Sequence, residues 1–112
     1  MRFAEMIHAP EFEGKEKHVP DISVSEDEVG TVVTVKIGKE VLHPTSKDHH
    51  IEWVKIFGET QDGKVVEVGV LDFGQGTSLP KGSVTIDKDA YKSLTALSYC
   101  NMHGVWDNSF AL

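Results

Sequence analysis

Apolar residues in this chain recur at every second position, in short runs closed by turn residues, and no stretch of its body sustains a helical period. Thr31–Ile37 sets Val33, Val35 and Ile37 on one face and Thr34 and Lys36 on the other. Successive side chains of an extended strand point to opposite sides, so this pattern predicts a strand with one buried face. Ile51–Phe57 is a longer run with weaker alternation, which predicts burial on both faces for part of its length. In Gln61-Asp62-Gly63-Lys64, Asp-Gly supplies the positive φ angles of a tight reversal, and Val65–Phe73 returns as the partner strand. Gly74-Gln75-Gly76 and Leu79-Pro80-Lys81-Gly82 break the chain again before Ser83–Ile86 and Leu94–Cys100. Residues 1–20, with Pro10, Gly14 and Pro20, predict at most a short turn of helix followed by an exposed loop. About seven short strands at this spacing predict an all-β fold, an Ig-like antiparallel β-sandwich, with a small barrel as the alternative.

A chain of 112 residues is expected to form one domain over 1–112. Its 39% apolar and 26% charged residues match a globular domain rather than a disordered one. Apolar stretches are too short to cross a bilayer, so no membrane partner is expected. The N-terminal residues carry an early acid, Glu5, and lack the apolar stretch of a secretory signal, which makes the cytoplasm the expected location. A net charge of −7 argues against a nucleic-acid partner, which requires a basic stripe. The same field repels small anions, so an anionic substrate would need local positive charge at its site.

The chemistry concentrates in one cysteine and several histidines. Cys100 is the sole cysteine, which excludes an intrachain disulfide and a multi-cysteine zinc finger. A buried cysteine on a strand is ordinarily inert packing. Here, however, the run Tyr99-Cys100-Asn101-Met102-His103-Gly104 ends a strand, and its turn can bring a thiolate and an imidazole around one point. His43 precedes Pro44, which biases its backbone to extended geometry. His49 and His50 are adjacent, so on extended backbone only one of them joins a given site easily; the other is expected to be solvent-exposed or a packed bystander. His18 follows Glu16 and Lys17 in a charged segment, and His8 reads as a surface histidine. Structural zinc usually recruits more cysteines. A cupredoxin-like copper site uses two histidines, one cysteine and an axial methionine, yet no methionine follows His103 and two histidines are left over. Non-haem iron with several imidazoles and one thiolate would use the whole set.

Taken together, Glu16-Lys17-His18-Val19-Pro20, His43-Pro44 with His49, Ile51-Glu52-Trp53 and Tyr99 to Gly104 resemble superoxide reductase of the one-iron neelaredoxin type, the iron domain of desulfoferrodoxin. The resemblance runs from about Lys15 to Trp106 and lacks the additional four-cysteine domain of desulfoferrodoxins. It implies one iron ion per chain, cycling between the ferrous and ferric states. His18, His43, His49 and His103 correspond to four equatorial imidazoles, and Cys100 to the axial thiolate. Glu16 corresponds to a sixth ligand of the oxidised state, and Lys17 to a residue that assists superoxide at the open position. Lys47 is a second candidate for that assistance, and His50 is expected to stay outside the ligand set. The implied reaction is one-electron reduction of superoxide to hydrogen peroxide. The implied electron donor is rubredoxin or a similar small redox protein, and the implied assembly is a homo-oligomer, a dimer or a tetramer. A cupredoxin-like copper electron carrier and a metal-free Ig-like binding module are the competing readings.

Overall fold

The computed structural model describes residues 1–10 and 18–112. Glu16 and Lys17 therefore lie outside the described residues. Among the described residues, eight strands form two sheets: β1 (Ile7–His8), β2 (Pro20–Glu26), β3 (Thr31–Ile37), β4 (Ile51–Thr60), β5 (Val65–Asp72), β6 (Lys81–Ile86), β7 (Tyr91–Cys100) and β8 (Gly104–Ala111). One sheet has the order β1-β8-β7-β4-β5 and the other β2-β3-β6. All pairings are antiparallel except that of β1 with β8. The expected antiparallel sandwich is present, with a short parallel strand added at one edge. A one-turn helix, α1 (Phe3–Met6), precedes that edge strand.

The core forms because the period-two faces of the two sheets meet. Val33, Val35 and Ile37 of β3 are fully buried against Val54 and Ile56 of β4 and Leu94 and Ala96 of β7. The weak alternation of Ile51–Phe57 has a different cause from the one expected. The register of β4 slips against β7 between Ile51 and Trp53, and against β5 between Ile56 and Phe57. An extra residue in one strand of a pair shifts the side-chain phase, so inward positions are spaced irregularly without burial of both faces. Trp53, Lys55 and Phe57 remain only half-buried on the outer side.

Topology delivers one end of the sandwich as a convergence point. At that end β2, β4 and β8 begin and β3 and β7 finish, as the pairings Pro20↔Ile37, Ile51↔Cys100 and Cys100↔Gly104 show. The connection from β3 to β4, residues 38–50, must cross from one sheet to the other there. It is tied at its start by Gly38 N–H to Val19 O (3.2 Å) and by His43 N–H to Ile37 O (2.9 Å).

Candidate metal centre

Three segments bring five soft and borderline donors to that end: His18 before β2, His43 and His49 from the β3–β4 connection, and Cys100 and His103 from the end of β7 and the β7–β8 turn. Cys100 closes a strand and is fully buried, while His103 sits in the turn and is exposed. Gly104 takes φ +85°, a left-handed conformation that lets the chain leave the turn directly into β8. Potential ligand atoms of His18, His49, Cys100 and His103 all lie within 4.8 Å of one another. His43 joins through Nε2, 3.4 Å from Cys100 Sγ, with its ring 4.6 Å from that of His49 and 4.9 Å from that of His18.

Hydrogen bonds decide which ring nitrogens face inward. A carbonyl oxygen only accepts, so the 2.9 Å contact of His43 Nδ1 with Pro44 O places the proton on Nδ1 and leaves the Nε2 lone pair toward the sulfur. His18 Nε2 and His103 Nδ1 approach to 3.1 Å, and His103 Nδ1 lies 3.8 Å from Cys100 Sγ. His49 Nε2 is buried and has no hydrogen-bond partner. An orphaned buried acceptor or donor costs on the order of 1–3 kcal/mol, and a metal ion among these lone pairs would remove that cost. Burial, with the neighbouring histidines adding to it, pushes the pKa of His43 down to about 4, and burial likewise lowers that of His49. Both imidazoles are thus kept neutral, as metal ligation requires.

The desulfoferrodoxin family matches residues 11–109. This chain belongs to the desulfoferrodoxin family. A superoxide reductase of Thermococcus kodakarensis is 36% identical over 101 residues, covering 87% of this chain and 88% of its own. A neelaredoxin of Megalodesulfovibrio gigas is 30% identical, covering 100% and 98%. The structure of the superoxide reductase (neelaredoxin) of Archaeoglobus fulgidus in the reduced form superposes with a TM-score of 0.82 at 32% identity, covering 96% of this chain and 98% of that one.

Of the residues singled out in the sequence of this desulfoferrodoxin-family chain, His18, His43, His49, Cys100 and His103 are brought together, and Lys47 is exposed on the connection that carries His49. His50 is not solvent-exposed but buried, and it turns away from the cluster. Its Nδ1–H donates to Ser46 O (2.9 Å) and its Nε2 faces Glu52 Oε1 at 3.5 Å. His8 is exposed, yet its ring packs on Trp106 (4.6 Å between centroids).

Two residues of the site went unnoticed in the sequence. Trp106 stacks on His18 at 5.0 Å and 15°, and its Nε1–H donates to His103 O at 3.1 Å. Asn101 clips the two donor-bearing loops together: its Oδ1 accepts from His50 N–H (2.9 Å), its Nδ2 donates to Asp48 O (3.0 Å), and its own N–H donates to His50 O (3.2 Å). An asparagine between a cysteine and a histidine is a signal of a kind, since its amide both donates and accepts at a turn.

Proposed function

We propose that this chain is a one-iron superoxide reductase in which His18, His43, His49 and His103 hold iron through imidazole nitrogens and Cys100 through its thiolate. The observation that carries this reading is the convergence of four imidazoles on one buried sulfur, with His49 Nε2 left unpartnered. Iron bound there supplies the single electron that converts superoxide, with two protons, to hydrogen peroxide. The residues around it do the rest. Cys100 would hold the iron through its buried thiolate and would add electron density to it. Exposure of His103 and partial exposure of His18 and His49 make the donor cluster reachable by a small anion. Lys17 would supply the local positive charge that a −7 protein otherwise lacks and would help bring a proton to the substrate. Glu16 would serve as a further iron ligand in the oxidised state, as the family resemblance implies. The cupredoxin reading finds no support in the relatives, and the histidine number exceeds what it needs.

The whole chain, 1–112, serves as a single iron-binding domain, re-reduced by rubredoxin or a comparable small carrier in the cytoplasm and assembled as a homo-oligomer. The family resemblance supports these statements, and no described helix is long and apolar enough to cross a membrane. Protein purified without added metal is expected to hold one iron per chain and, once reduced, to be oxidised by superoxide with one peroxide formed and no oxygen. Bound copper, or oxygen release in place of stoichiometric peroxide, would overturn the assignment. In the same assay Lys17→Ala is expected to keep iron and slow the reaction about 10-fold, with weaker dependence on ionic strength.

A further inference from the structure

His50 is buried, at 3% exposure, although the donor cluster does not use it. A buried imidazole always carries at least one N–H, and that donor has to be met. Here Nδ1–H is met by Ser46 O at 2.9 Å, four residues back along the chain. Ser46 in turn grips both backbone groups of His49. Its N–H donates to His49 O (2.9 Å), its hydroxyl donates to the same oxygen (3.2 Å), and its Oγ accepts from His49 N–H (3.1 Å). His49 is therefore held by Ser46, and Ser46 is held by His50.

A separate segment closes on the same carbonyl. Gly76, in the connection from β5 to β6, has φ +84°, and a Cβ there would stand 2.3 Å from Ser46 O and 2.7 Å from Lys47 N. Only a residue without a side chain lets two backbones approach so closely. The turn that carries Gly76 is itself anchored. Gly74 N–H donates to Asp72 Oδ1 (2.9 Å), the Thr77 hydroxyl donates to Phe73 O (3.3 Å), and Phe73 N–H donates to Glu52 O of β4 (2.8 Å). Two features distant in sequence thus converge on one atom, Ser46 O. What they secure is the placement of His49. Its Nε2 has no hydrogen-bond partner among the described residues to steer the ring, so the backbone that carries the ring has to place it. We propose that His50 and Gly76 are positioning residues for His49, clamping the Ser46 carbonyl between them so that the His49 imidazole stays in the donor cluster. The role rests on the assignment of His49 as an iron ligand.

Cobalt titration of the metal-free full chain, read in the thiolate-to-metal absorption, tests the clamp. His50→Leu keeps bulk and loses the donor, and it is expected to weaken cobalt binding about 10-fold. His50→Asn, whose amide offers an N–H close to the Nδ1 position, is expected to stay within about 3-fold of the wild type. Gly76→Ala acts from the other segment and is expected to match His50→Leu. Ser46→Ala breaks the clamp where it meets His49; because Ser46 is exposed, this variant carries the test if a buried substitution does not fold. The decisive comparison repeats these changes in a His49→Ala background. A residue that acts through His49 has nothing left to position there, so each change should then cost less than about 2-fold. Unaltered cobalt affinity in the single variants overturns the proposal, and so does an equal loss with and without His49, which would make the clamp a general support of the fold. If His49→Ala alone binds cobalt as tightly as the wild type, the ligand assignment itself fails and the positioning role falls with it.

Discussion

At the scale of single residues, the site is organised by groups that never touch the metal position. Pro44 O fixes the proton of His43 on Nδ1, and Trp106 braces His18 and His103 together, so ring orientation is set before any ion arrives. Asn101 does the same for the loops, since one amide joins the turn bearing Cys100 and His103 to the segment bearing His49. Outer partners of metal ligands typically contribute about 10- to 100-fold to affinity, and Asn101→Ala is expected to lose metal affinity in that range. Because Asn101 lies at the surface, global stability should change by only about 1 kcal/mol. Competition titration with cobalt, read in the thiolate-to-metal absorption, checks this directly; an unchanged affinity would mean that the two loops hold their spacing without the clip. The cysteine and His103 were legible in the sequence because their separation is local. Trp106 and Asn101 were not, because what they do depends on which loop the fold sets beside them.

At the scale of elements, the connection between β3 and β4 carries two of the five converging donors, and its geometry is fixed where it begins. Gly38 has φ +100°, and a Cβ there would stand 2.0 Å from Val41 O, a backbone atom that cannot yield. The turn that follows returns His43 N–H to Ile37 O, so its shape decides where the imidazole falls. A non-glycine residue in this conformation costs on the order of 1–3 kcal/mol. Gly38→Ala is therefore expected to lower the unfolding free energy by a comparable amount and to weaken metal binding by at least about 10-fold. If calorimetry shows the loss of stability while metal affinity is retained, the turn matters to the fold alone. Elements with strong local signals, such as Thr31–Ile37 and the Asp62-Gly63 hairpin, could be read from the chain. Two real strands were not named from it. β2 opens on Pro20-Asp21, which an edge strand tolerates and a central one does not, and β8 carries Asp107-Asn108 within it. β1 has two residues and no signal of its own; its pairing with β8 is a tertiary contact.

At the scale of the whole molecule, acid acts on this protein through two opposed effects. Lowering pH protonates carboxylates and relieves the self-repulsion of a −7 chain, which favours the folded state. It also protonates histidines, and His43 and His49 accept protons less readily when folded than when unfolded. For His43, whose folded pKa of about 4 lies below the ordinary 6.5, the unfolded chain binds more protons between those values. Its contribution to stability is therefore fully present above pH 6.5 and is lost as pH falls toward 4. Carboxylates remain largely ionised down to about pH 5, so the upper part of that window isolates the histidines. Metal-free protein is expected to lose on the order of 2 kcal/mol between neutral pH and about pH 5 from His43 alone, and His49 adds to it in the same direction. Urea denaturation of the wild type and of His43→Gln over this range makes the comparison. A steep decline in the wild type that flattens in the variant fits the burial of His43 as the cause. A decline of equal slope in both would move the acid sensitivity to other groups. With iron bound, the same protons compete with the metal for the imidazole lone pairs, so the acid limb should then coincide with iron release.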